Sequence, residues 1–374
     1  MPESLLQIRN SEVQSFKACR QQWWWAYVKR LKPNDVSAPL TIGTIVHHGL
    51  EHWYVPGKKR GTKPWIPALE MYDAFVEEFG RDLIVKDSDD PNKVLTAREL
   101  IEAMLRGYVD EYGTDPWMEV VAPEMTFQVI YTDRSGKEFE FVGTIDGVIR
   151  DRRTKELGFL EHKTGAGLEP FGAPEPLDEQ SGSYWAFAPE FLRSIGVLTK
   201  KEEPQWVLFN RLKKSMPDTR PTNAEGHALN KPLKEDLVAA CERRGLEVKR
   251  GMTIPVISEL LTGAGVDVAA LGRVSERQPL PRYKRSWVHR SEDDRAILMD
   301  RVAATVQEMR LVRRKKLAVY KNPDRHCNWC PFGPTSSGMC EIHETGHDWE
   351  SIRDAMFHEW NPYDAHEIEL AERT

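Results

Sequence analysis

Two apolar runs split by a charged turn constrain this chain more than any other feature. Phe141-Val142-Gly143-Thr144-Ile145-Asp146 comes before the turn Arg150-Asp151-Arg152-Arg153-Thr154-Lys155-Glu156, and Leu157-Gly158-Phe159-Leu160-Glu161-His162-Lys163 comes after it. This pattern predicts a β-hairpin. Alternate side chains of a strand share a face, so Leu157, Phe159, Glu161 and Lys163 fall together, with Asp146 near the end of the preceding strand. Two carboxylates and a lysine then meet where apolar strands should bury apolar groups. Buried charges are costly unless they are paired or bind a metal. Two acids suit a hard cation such as Mg²⁺ or Mn²⁺, which takes oxygen ligands. A lysine beside them can stabilise a phosphate or help deprotonate a water.

With 374 residues the chain can form one large or two ordinary domains. The formal net charge is −6, so nucleic-acid binding would have to use local basic patches. The N-terminus lacks a basic region followed by an apolar run, and no stretch is apolar enough to span a membrane. A cytoplasmic location is the expectation.

Helices are expected from Ser11 to Val28, with Ser11 and Gln14 as a capping box, and from Leu40 to Tyr54. In the second, Gly43, His47 and Glu51 recur every four residues, placing His47 as a potential metal ligand with Glu51 to orient it or to sit near the metal. Further helices are expected at Pro67–Gly80 and Leu95–Tyr112, with sheet from Glu124 onward. A helix opening near Asp178 puts Gln180 and Tyr184 on one face, and Gln205–Arg211 reads as a strand. Residues 216–282 break the pattern and read as an insertion. Tyr283–Val288 is a last strand, and Ser291 caps a long helix reaching about Lys316. Its basic end, Arg310 to Lys316, is the best local candidate for a phosphate contact. The chain divides into a helical part (1–115), a core sheet (116–215), the insertion (216–282), a last strand, helix and cap (283–345), and a tail (346–374).

Five cysteines in a chain expected to be cytoplasmic point to metal chemistry before disulfides. Cys241 reads as a small buried hydrophobe. Cys327, Cys330 and Cys340 supply three thiolates. His343 as fourth ligand gives a compact zinc site. Cys19 as fourth gives four thiolates, which suit an iron–sulfur cluster.

In order, these motifs resemble the RecB-type branch of the PD-(D/E)XK nuclease superfamily. Gly43-x-x-x-His47 resembles its helical histidine motif, Gly143-Thr144-Ile145-Asp146 its acidic strand, Glu161-His162-Lys163 its E-x-K strand, and Gln180-x-x-x-Tyr184 the helix that follows. The resemblance covers roughly Ser11–Tyr184 and Arg282–Cys340. It implies an α/β fold of restriction-endonuclease type, a mixed central sheet flanked by helices. It also implies metal ligation by His47, Asp146, Glu161 and the main-chain carbonyl of His162, with Lys163 assisting and Gln180 and Tyr184 holding the strand. A subgroup that includes AddB and CRISPR-associated exonucleases is similar further. There, one N-terminal and three C-terminal cysteines hold a [4Fe–4S] cluster, which implies Cys19, Cys327, Cys330 and Cys340 here. The gap before Cys340 is longer than in that subgroup, so zinc with His343 stays open. The implied activity is DNA exonuclease action on single-stranded DNA or free ends, in recombination, repair or phage DNA processing, with a helicase or recombinase as a possible partner. A DNA-end-binding protein without cleavage and a zinc-stabilised scaffold are the alternatives.

Overall fold

The computed structural model describes residues 5–35, 37–170 and 174–364. Strand β1 (Leu6–Arg9) runs directly into helix α1 (Asn10–Ala18). Ser11 does not cap this helix. The pairing of β1 keeps Arg9 extended, the helix starts at the next residue, and Ser11 Oγ instead meets the Tyr27 hydroxyl at 3.2 Å. The helix expected to reach Val28 is broken. Cys19 is extended (φ −159°, ψ 114°), followed by α2 (Arg20–Trp23) and a π-helical turn at Trp24–Val28.

Strand β2 (Leu31–Pro33) precedes α3 (Ala38–Trp53) and α4 (Trp65–Phe79). The small hairpin of β3 (Ile84–Lys86) and β4 (Val94–Thr96) leads to α5 (Ala97–Tyr112), which opens with a capping box from Thr96 and Glu99. Three long strands follow: β5 (Met118–Thr132), β6 (Glu138–Asp151) and β7 (Leu157–Gly165). Helix α6 (Glu179–Ser194), capped by Asp178, leads to β8 (Pro204–Lys213). Met216–Arg282 forms a compact unit of its own. In it, α7 (Lys234–Arg243) and α8 (Ile254–Gly263) pack around Leu237, Cys241, Ile257 and Leu261. The rest of the chain adds β9 (Tyr283–His289), α9 (Glu292–Arg313), α10 (Met339–Glu344), α11 (Trp349–Met356) and β10 (Phe357–Glu359).

One six-stranded mixed sheet organises the larger unit, in the order β1-β6-β7-β8-β9 with β5 also on β6. β5 runs antiparallel along nearly all of β6 and occupies one of its edges. The other edge is shared. Phe139–Val142 pair in parallel with β1, and Gly147–Arg150 pair antiparallel with β7. Residues 143–146 lie between the two ladders, so the sheet forks there. β7 continues beyond the fork in parallel with β8, as far as Gly165.

α6 and α9 bury Trp185, Phe187, Leu192, Val306 and Met309 in the main core, with Phe127 and Phe141 of the sheet. α3 and α5 approach the sheet at β7 and β8. Two residues of the basic end of α9 are engaged within the fold, while Arg314, Lys315 and Lys316 are exposed. Arg310 is buried and pairs with Asp133 at 2.9 Å, and Arg313 pairs with Glu12 at 3.0 Å. Both guanidiniums serve to hold α9 onto the core. Part of the expected tail is ordered structure: β10 pairs with β2, and Phe357 stacks on Phe332 beside Trp25 and Met339. Among the described residues no helix is long and apolar enough to cross a membrane.

Gly158 is one of the tightest points of the sheet. A Cβ there would lie 2.1 Å from the Trp206 ring. Gly158→Ala is therefore expected to destabilise the protein by about 1–3 kcal/mol, read from its urea midpoint. An unchanged midpoint would show that Trp206 moves aside freely.

Candidate active site

The fork gathers the site. In an antiparallel pair, a residue presents its N–H and C=O to the same side of its strand. The His162 N–H donates to Asp146 Oδ2 at 2.5 Å, so both backbone groups of His162 face the gap beside Asp146. The next residue pair after Gly147–Leu160 would be Asp146–Glu161. Instead the strands splay, and the Asp146 carboxylate takes the ladder's place.

Glu161 and Lys163 share one face, as their alternation demands. Lys163 Nζ donates to Glu161 Oε1 at 2.6 Å and to Gln180 Oε1 at 3.0 Å on α6. Tyr184, one turn on, is hydrogen-bonded to Gln180 and packs over Gly143. A Cβ on Gly143 would lie 2.5 Å from the Tyr184 ring, so only glycine lets this helix sit so close. α3 covers the other face. His47 Nδ1 lies 3.2 Å from Asp146 Oδ1, and Gly43 leaves room for Thr164 of β7, 3.2 Å from where a Cβ would be. Glu51 faces His48, whose Nδ1 lies 3.7 Å from its Oε2.

Burial and charge compete at each group. Burial raises the Glu161 carboxyl, as does Asp146. Lys163 offsets only part of this, and the pKa settles at about 7. Burial works against charge on His47 too, but Asp146, Glu161 and Glu124 outweigh it and lift His47 to about 9. Burial also raises Asp146, yet His47 and His162 bring it down to about 2. Lys163 is raised, since Glu161 and Asp178 overcome its desolvation.

A support that the sequence did not reveal stands behind His162. Its ring lies 5.6 Å from that of Tyr54 and nearly parallel to it. Asn210 Oδ1 accepts from Arg285 Nε at 3.2 Å, which fixes the amide's orientation. Asn210 Nδ2 then donates to Tyr108 at 2.9 Å and to His162 Nδ1 at 2.7 Å. The imidazole is neutral, since burial lowers its pKa to about 3. Arg285 grips Asp115 through two bonds of 2.6 and 2.8 Å and also reaches both Tyr54 and Tyr108. Asp115 adopts the left-handed conformation (φ 48°) that aims its carboxylate at this network.

The donors fit a hard cation. Asp146, Glu161 and the His162 carbonyl offer oxygen, and His47 a nitrogen, beside a cleft of ≈1160 Å³ that Lys163, Gln180 and Tyr184 also line. In the ion's absence, protonated His47 balances Asp146.

The family model for the PD-(D/E)XK nuclease superfamily matches residues 10–335. The chain belongs to this superfamily. No curated protein shows a significant match. Superfamily members are metal-dependent nucleases that typically use Mg²⁺ or Mn²⁺, and the helix-flanked mixed sheet described above is their restriction-endonuclease-like fold.

Four of the five cysteines come from the two ends of the chain to one place. Cys19, Cys327, Cys330 and Cys340 line one cavity of ≈700 Å³. The break at Cys19 ends α1 at this cavity's wall. Gly333 keeps the cysteine loop tight, since a Cβ there would lie 2.4 Å from the Cys327 carbonyl. Burial lifts the Cys330 thiol to about 11 and also raises Cys340. His343 lines the same cavity with its ring against Trp25 and Trp349, each 5.3 Å away.

Two outcomes follow from these charges. Metal uptake must displace the protons on Glu161 and His47, so Mn²⁺ binding should strengthen as pH rises from 6 to 9. It should release about two protons at pH 6 and about one at pH 8. Calorimetric titration in buffers of different ionisation enthalpy reads this directly, and no release at either pH would contradict the assignment. Arg285→Met should cost about 3–5 kcal/mol of stability by leaving Asp115 buried without its cation. A change in denaturation midpoint too small to resolve would show that the network supports nothing.

Proposed function

We propose that this protein is a DNA nuclease whose catalytic centre is the fork, with Asp146, Glu161 and Lys163 as its catalytic groups. The observation that carries this is Lys163, half-buried on the Glu161 face and held by both Glu161 and Gln180, with the Asp146 carboxylate across the gap. Structural ion pairs do not need a lysine, two acids and a histidine around the mouth of a cleft. His47, Asp146, Glu161 and the carbonyl of His162 would hold one or two divalent cations. Such a cation polarises a phosphodiester and lowers the pKa of a bound water. Lys163 places its ammonium where negative charge develops on the phosphate. Gln180 sets the direction of that ammonium. Tyr184, whose ionisation burial disfavours, stays a neutral hydrogen-bonding group beside the strand.

The preferred substrate in this reading is single-stranded DNA with a free end, as the resemblance to RecB-type exonucleases implies. The same resemblance implies a [4Fe–4S] cluster on Cys19, Cys327, Cys330 and Cys340. Its support in the structure is that these four cysteines, from the two ends of the chain, line one cavity. Bound there, it would tie the N-terminal helices to the C-terminal cap.

Asp146→Ala and Lys163→Ala are each expected to lower Mn²⁺-dependent cleavage of end-labelled single-stranded DNA at least ~100-fold while leaving the fold intact. Covalently closed single-stranded circles should survive. Undiminished cleavage by either variant would refute the catalytic assignment, and cut circles would refute the exonuclease reading. Anaerobically purified protein should be brown, with iron and sulfide near four each per chain. Stoichiometric zinc without iron would overturn the cluster.

A further inference from the structure

His48, Glu51 and His52 form a second group of ligand-type side chains on α3, at positions i, i+3 and i+4. Each offers one ligand atom, and these atoms lie within 4.8 Å of one another. The two imidazole rings are 4.5 Å apart. His48 Nδ1 lies 3.7 Å from Glu51 Oε2. His52 Nδ1 lies 3.0 Å from the main-chain oxygen of His48. A carbonyl can only accept, so this Nδ1 carries a proton, and in the neutral ring Nε2 is the nitrogen with the lone pair. Metal-ligating histidines are held in this way, with one ring nitrogen donating to a fixed acceptor and the other left to bind.

We propose that His48, Glu51 and His52 bind a divalent transition cation of the zinc class on the wall of the cleft, apart from the cation assigned to Asp146 and Glu161. The two donor sets select differently. Two imidazoles and one carboxylate suit zinc or nickel, whereas the oxygen-rich fork suits magnesium or manganese. The rim site also answers an electrostatic problem. Six carboxylates face three lysine and arginine side chains and the protonated His47 among the residues lining the cleft, an acidic excess that disfavours a polyanion. Two of the cluster residues, His48 and Glu51, line the same cleft. A doubly charged ion on them would draw phosphate inward without taking part in the chemistry. The binding claim stands on these three residues alone. Its effect on DNA rests on the proposed nuclease activity.

The test uses full-length Asp146→Ala protein, in which the fork lacks a ligand. Titrated with Co²⁺ as a zinc surrogate, it should show a d–d band without sulfur-to-cobalt charge transfer, which separates this site from the cysteines. Adding His48→Ala and His52→Ala should weaken that binding at least ~10-fold. An unchanged titration in the triple variant would overturn the site. His52→Gln, a milder surface change, should give the same loss if the effect is ligation and not misfolding. Zn²⁺ should tighten single-stranded DNA binding by Asp146→Ala protein but not by its His52→Gln derivative. Equal tightening in both would overturn the recruiting role. A protein that takes the ion and binds no DNA would uphold the site and contradict the nuclease reading.

Discussion

One hydrogen bond sets the geometry of this molecule's working end. The main-chain N–H of His162 donates to the Asp146 carboxylate where a ladder bond would otherwise continue the hairpin. A buried N–H must find a partner. When β6 passes from β1 to β7, the side chain of Asp146 supplies one. The strands can then separate without leaving that amide unsatisfied, and the separation opens the space in which Glu161 and Asp146 face each other. The same bond turns the His162 carbonyl toward the gap. An acid at the fork thus serves the backbone first, and its second oxygen remains beside His47.

The cost of gathering these charges is borne by the surroundings. Glu161 is almost fully buried and is raised accordingly. Lys163 and Gln180 hold one face, and the chain from His162 through Asn210 and Arg285 to Asp115 braces the other. Fully satisfied polar networks of this kind rigidify what they touch. The brace fixes the strand's orientation with groups that do not meet the cleft. Positioning and chemistry are thereby divided between opposite faces of β7.

Much of the site was legible because strand and helix periods are short. Glu161 and Lys163 fall on one face by alternation, and Gln180 and Tyr184 by the helical turn. The fork was not legible. It depends on β1, four residues long, finding Phe139–Val142 more than a hundred residues away. The brace was hidden for a similar reason. Tyr54, Tyr108, Asp115, Asn210 and Arg285 lie on five separate segments, and each alone reads as an ordinary polar or aromatic residue. Glu51's contact with His48 was not legible, because i+3 and i+4 neighbours are both plausible on a helix and only coordinates separate them. Arg310 and Arg313 looked like a basic helix end, but Asp133 and Glu12 claim them. At Cys19, helical spacing predicted continuity, whereas the backbone breaks to bring the cysteine beside its three C-terminal counterparts.

The most direct test of the fork as a cation-binding centre is anomalous diffraction from a crystal soaked in Mn²⁺. The expected result is a manganese peak bonded to oxygens of both Asp146 and Glu161, with Lys163 beside it. A crystal in which the ion binds elsewhere, with those two carboxylates turned apart or bonded only to protein groups, would contradict the account.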